Sequence, residues 1–103
     1  QPAENRQLAQ APQPVRVGEV QITVQSALNQ TPLSGARVTL TNTVDASIHR
    51  SLVSDAKGVA DFRDLPPGDY VVEIFDLNHD PDKTQLRVPA GIRTSYVSYL
   101  DIK

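Results

Sequence analysis

The stretch Ser54–Ile74, SDAKGVADFRDLPPGDYVVEI, constrains the fold more than any other part of the chain, because it spells strand, tight turn, strand, bend and strand. Asp55-Ala56-Lys57-Gly58 places an acid at the first turn position and glycine at the last, which suits a type I turn closed by a left-handed residue. Ala60 and Phe62 then point one way and Asp61 and Arg63 the other. After Leu65, the pair Pro66-Pro67 ends the strand and Gly68 supplies a positive φ. Tyr70, Val72 and Ile74 alternate with Val71, Glu73 and Phe75, the period-two pattern of a half-buried strand. Glu73 therefore faces solvent. Tyr70 enters at a corner, where its ring can fill one end of the core and its hydroxyl can reach backbone.

The same alternation recurs on both sides of this stretch. In Gly18–Ala27, Val20, Ile22 and Val24 share one face, with Glu19, Gln21, Thr23 and Gln25 opposite. Pro32 and Gly35 punctuate the connection to a second strand, in which Ala36, Val38 and Leu40 alternate with Arg37, Thr39 and Thr41. Ile48–Ser54 is a weaker strand whose apolar parity includes Arg50, as an edge position would allow. Thr84–Val88 is short, and Ile92–Ile102 closes the chain. In that last strand both parities carry apolar groups, and we place Val97 and Tyr99 inward, against Tyr96, Ser98, Leu100 and Ile102. The expected fold is all-β: a seven-stranded antiparallel Greek-key β-sandwich, prealbumin-like or Ig-like, over residues 18–103, with Arg50 and Arg87 on its edges. A barrel is the alternative closure. Residues 1–17 are rich in Gln, Ala and Pro, and we read them as a flexible leader.

With 103 residues the chain fits one domain with one modest core. A formal charge of −2 gives no field to draw nucleic acid or an anionic membrane. The absence of cysteine removes disulfides, thiolate metal sites and cysteine nucleophiles together. No apolar run approaches a membrane span. The chain begins at Gln1 rather than Met, which we read as a processed or trimmed amino terminus.

Few residues suggest chemistry. Asp76, Asn78, Asp80 and Asp82 follow one another at every second position, a spacing at which oxygen ligands can wrap calcium. Pro81 stands where such a loop needs glycine, and Arg87 where it needs its final acid, so a solvated inter-strand loop is the competing reading. His49 and His79 lie on separate segments and are expected to be exposed, because a catalytic or zinc role needs converging partners. No serine occupies a nucleophile elbow and no glycine-rich phosphate loop occurs. No enzyme activity is expected, and no cofactor beyond the calcium option.

The strand opening Gly18-Glu19-Val20, the run Pro32–Leu40, the turn Ser54–Gly58, and Phe62 with Leu65–Tyr70 together resemble the carboxypeptidase regulatory-like domain. That family has a prealbumin-like (transthyretin-like) β-sandwich related to the B repeats of collagen adhesins. The resemblance covers Gly18–Lys103 and implies a non-catalytic module of secreted or cell-surface proteins. Adhesin B repeats often carry an internal isopeptide bond. Glu73 and Asp101 loosely match two of its positions, but Gly18–Ala27 contains no lysine to form it. The related hydrolases of urate breakdown end in Tyr-Arg-Gly-Ser, and this chain ends Leu100-Asp101-Ile102-Lys103.

The expectation is therefore an extracytoplasmic (periplasmic, secreted or cell-surface) monomer that binds a protein partner through a sheet edge or loops. A periplasmic chaperone-like or assembly-modulating role is one concrete form of it. The alternative is a carbohydrate-binding or adhesive accessory domain of a larger protein, with an outward Tyr96 or Tyr99 and neighbouring Phe75 as its platform.

Overall fold

The computed structural model describes residues 17–103; the leader assigned to residues 1–17 lies, apart from Val17, outside the described residues. Seven strands follow one another: β1 (Gly18–Ser26), β2 (Arg37–Asn42), β3 (His49–Val53), β4 (Val59–Leu65), β5 (Gly68–Phe75), β6 (Asp82–Val88) and β7 (Arg93–Leu100). They form a sandwich of two sheets, with strand orders β4-β1-β7 and β3-β2-β5-β6. No helix among the described residues is long and apolar enough to cross a membrane.

Alternation puts one parity of every long strand between the sheets. Val20, Ile22 and Val24 of β1 meet Val38 and Leu40 of β2 and Tyr70, Val72 and Ile74 of β5 in one buried cluster. Burying each such aliphatic side chain contributes about 1.5–3 kcal/mol. Arg50 and Arg87 lie on β3 and β6, the two edge strands of the larger sheet. Glu73 faces out, opposite Thr39 and Lys83.

Three features differ from the sequence reading. First, not every pair is antiparallel: β1 and β7 run parallel, from Glu19↔Arg93 to Ser26↔Leu100. Alternation reports which face a residue takes, not which strand lies beside it. The first and last strands become parallel neighbours because the whole intervening chain serves as their crossover.

Second, the phase of β7 is the reverse of the one expected. Val97 and Tyr99 point outward, whereas Ser98 and Leu100 are each 1% exposed and Tyr96 is half-buried. The parallel register explains it, since Tyr96, Ser98 and Leu100 pair with Ile22, Val24 and Ser26, the inward residues of β1. The core accepts a serine there because the Ser98 hydroxyl donates to Asp82 Oδ2 at 2.7 Å.

Third, β4 carries a bulge. Gly18 pairs with Leu65 but Val20 with Phe62, so Arg63 and Asp64 together oppose Glu19. Asp64 takes φ 57°, a left-handed conformation that aspartate tolerates better than most residues. The extra residue switches parity and returns Leu65 to the core.

The β3–β4 turn forms as its residues predict. Gly58 takes φ +78°, and Asp55 Oδ1 accepts the N–H groups of Lys57 at 2.8 Å and Val59 at 3.0 Å. The Val59 bond, then the Lys57 bond, holds the Asp55 carboxyl below its ordinary 3.8. A depressed folded-state pKa stabilises above the unfolded value, and that stabilisation is lost as pH falls through the folded one. We therefore expect Asp55→Ala to lower the urea midpoint at pH 6, with the gap to the parent closing as pH drops below about 3.8. A gap independent of pH would show that the carboxylate does not hold this turn.

Candidate functional site

The loop between β5 and β6 does not gather its acids around a common point. Asp76 Oδ2 meets His79 Nδ1 at 2.7 Å and accepts the Asn78 N–H at 3.1 Å. Asp80 is exposed and uses its backbone N–H on the Asp101 carbonyl, at 2.8 Å. Asp82 turns toward β7, where it accepts from Ser98 and, at 3.5 Å, from the Tyr96 hydroxyl. Burial first, and then the Asp82 charge, raises the Tyr96 phenol above its usual 10.0. Among the described residues no group of three or more His, Cys, Asp or Glu side chains is placed to hold a metal ion. The Asp76, Asn78, Asp80 and Asp82 set is thus not brought together.

His79 departs from its expected exposure. His49 is exposed, with Nδ1 2.9 Å from Thr41 Oγ1, but His79 is buried at 7% exposure. Its Nε2 lies 3.3 Å from the hydroxyl of Ser26, 53 residues away at the end of β1. With Nδ1–H donating to Asp76, Nε2 is left to accept from Ser26. The Ser26–His79–Asp76 order is that of a hydrolytic relay, but acyl transfer also needs an accessible hydroxyl and free N–H donors for the oxyanion. Ser26 is 5% exposed. The nearest N–H groups are taken: Ser26 donates to Thr31 O, Ala27 to Leu100 O, and Leu28 to Ser26 Oγ. What this trio does is tether. It pins the β5–β6 loop against β1, beside the tail, where His79 pairs with Ile102. No sequence signal announces it, because its three members meet only through the fold.

The aromatic residues do not form one platform. Tyr99 is 54% and Phe75 50% exposed, but Tyr99 faces out from the smaller sheet and Phe75 from the larger. They look away from each other across the sandwich.

The two open sides of the sandwich differ. On one, the β6 and β7 edges are bridged by the Asp82 bonds to Ser98 and Tyr96. On the other, the β3 and β4 edges leave a groove of about 230 Å³, lined by Arg50, Ser51, Leu52, Asp61, Phe62 and Arg63. All of β3 is exposed.

This frame, with its turn glycines at Gly58 and Gly68 and its corner tyrosine, coincides with a family match. The family profile of the carboxypeptidase regulatory-like domain matches residues 19–99, from β1 into β7. The chain belongs to that family. No curated protein matches this carboxypeptidase regulatory-like domain in sequence. Among solved structures it is similar to the group B streptococcus pilus 2b backbone protein (TM-score 0.72, 14% identity, covering 85% of this chain and 42% of that one). It is also similar to catechol 1,2-dioxygenase from Pseudomonas arvilla C-1 (0.70, 17%, 86% and 53%). A candidate carbohydrate-binding protein from Pseudomonas aeruginosa matches at 0.62 with 13% identity, covering 84% of this chain and 89% of that one. The chain spans 17% to 53% of the length of the pilus protein, the dioxygenase and three further matches. At these identities the likeness is one of fold.

Proposed function

We propose that this carboxypeptidase regulatory-like domain is a non-catalytic protein-interaction or assembly module of an exported protein. The observation that carries the reading is the contrast between the two sides of the sandwich. One pair of edges is bridged by its own side chains, while the other presents an exposed strand beside an open groove. An unpaired edge is a template for an incoming strand. The pilus backbone protein among the structural relatives supports placement at a cell surface or in the periplasm, and a chaperone-like or assembly-modulating role suits free edges. The buried Ser26 supports a non-catalytic reading, although a dioxygenase shares the fold.

The test uses the full chain and a synthetic peptide that assembles into cross-β fibres. Equimolar chain is expected to lengthen the lag before fibres appear, and an unchanged lag would overturn the assembly-modulating role. The second reading, carbohydrate binding, is favoured by the Pseudomonas aeruginosa relative, whose length this chain nearly spans. It would rest on Tyr99 alone, without Phe75. A glycan screen in which a hit survives in the parent and disappears in Tyr99→Ala would establish it.

A further inference from the structure

We propose that the gap between β3 and β4 is a strand-addition site for an extended segment of another protein. That segment sets an acidic side chain on Arg50 and an apolar one, two residues earlier, on Leu52. The proposal rests on the interaction reading above and names its site and the chemistry of its partner.

The backbone of β3 turns alternate residues to the required side. In the β2–β3 pair, Asn42 N–H bonds Ile48 O and Ser54 N–H bonds Ala36 O. In that phase Arg50 and Leu52 direct their backbone groups to β2, and those of His49, Ser51 and Val53 face away. Across the gap, Val24 N–H bonds Gly58 O. By the same alternation the backbone groups of Val59 and Asp61 on β4 are turned away from β1. Those of Val59 are held by Asp55, whose N–H bonds Val59 O at 3.0 Å and whose Oδ1 accepts the Val59 N–H, so Asp61 is the β4 residue left to pair.

The side chains select the occupant. Arg50 and Leu52 pair with Leu40 and Val38, so they lean toward the space between the sheets rather than away from it. Among the described residues no ion pair involves Arg50. Its guanidinium instead donates to the His49 carbonyl at 3.1 Å, covering an edge group of its own strand. A partner carboxylate is a stronger acceptor than that carbonyl and would draw the guanidinium off the edge. The floor beside it is apolar, with Leu52 and Phe62.

On the β4 wall, Asp61 Oδ2 is already shared by Arg63 at 3.4 Å and Arg93 at 3.5 Å. Asp61 pairs with Gln21, so its carboxylate sits on the outer face of the smaller sheet, toward Arg93, and does not compete for Arg50 inside the gap. Charge also disfavours a second copy of the chain, since edge-to-edge pairing would crowd two sets of Arg50 and Arg63 around carboxylates already in use. Antiparallel addition to β3 reads, from amino to carboxyl end, apolar-x-acidic.

The test follows amide shifts of the ¹⁵N-labelled full chain with two capped peptides, Thr-Val-Thr-Glu-Thr and Thr-Val-Thr-Lys-Thr. Saturable shifts are expected at residues 49–53 and 59–63, with the Glu peptide binding about tenfold more tightly than the Lys peptide. Arg50→Glu should invert that preference. Arg50 is exposed, so a dispersed spectrum will verify that the variant folds. Equal binding of the two peptides, absence of shifts at millimolar peptide, or shifts confined to β6 or the outer faces would overturn the site. Fibre retardation that persists unchanged in Arg50→Glu would also overturn it while leaving the interaction reading in place; loss of retardation in the parent chain removes that reading itself.

Discussion

Tyr70→Ala is expected to destabilise the domain by about 3–5 kcal/mol, the cost of emptying a fully buried aromatic position. Tyr70 is 0% exposed and the largest of the fully buried side chains. Among the described residues only one other aromatic, Phe62, belongs to the buried core, so little nearby bulk is available to collapse into the void. The hydroxyl adds a second function: it donates to the Pro66 carbonyl, four residues back, and so locks the Pro66-Pro67-Gly68 bend to the start of β5. Tyr70→Phe keeps the ring and strands that carbonyl, and should cost about 0.5–1.5 kcal/mol. Urea unfolding at constant m-value separates the two contributions. Since a domain of this size holds only about 5–15 kcal/mol in total, the alanine variant will unfold at markedly lower urea. A loss under about 1 kcal/mol would mean that the inward face of β5 is misassigned.

Tyr70 could be read from sequence because its evidence is local. The preceding glycine, the two prolines and the alternation after them lie within a few residues, and each dictates backbone geometry directly. The same holds for the Asp55–Gly58 turn, for the inward face of β1, and for Arg50, whose wrong-parity charge marked an edge. What escaped was set at a distance. The phase of β7 is undetermined by its own residues, because Tyr96 and Leu100 on one parity balance Val97 and Tyr99 on the other. Parallel pairing with β1 and the Asp82 carboxylate waiting for Ser98 decide it.

The candidate sites divide in the same way. A run of Asp76, Asn78, Asp80 and Asp82 looks like a cation loop as text, yet two of its carboxylates face different protein donors once the strands pack. His79 looked exposed because its partners, Asp76 aside, are remote in sequence. The β3–β4 groove is legible only halfway: Arg50 could be placed on an edge, but not Asp61 and Phe62 across from it, since they belong to the other sheet. Facing is a local property of a strand, and neighbourhood is not.

Gly58→Ala carries the second largest expected effect, and Gly35→Ala is its internal control. The two glycines share nearly the same backbone, φ +78° at Gly58 and +82° at Gly35. A side chain in this left-handed region costs about 1–2 kcal/mol wherever it is placed. At Gly35 an added Cβ meets nothing within 4 Å, so that penalty should be the whole effect. At Gly58 the Cβ would sit 2.5 Å from the Val24 carbonyl oxygen and 3.2 Å from the Leu33 nitrogen. Those two atoms form a hydrogen bond of 2.9 Å, and Val24 N–H also donates to Gly58 O at 2.7 Å. The methyl would therefore wedge apart the point where the turn, the end of β1 and the β1–β2 connection meet. Losing one or two of these bonds adds about 0.5–1.5 kcal/mol each, for a total of about 1.5–5 kcal/mol. Urea midpoints of the two variants measured side by side decide the matter. If Gly58→Ala costs no more than Gly35→Ala, the close approach of the turn to β1 is wrong, and the glycine there serves its φ alone.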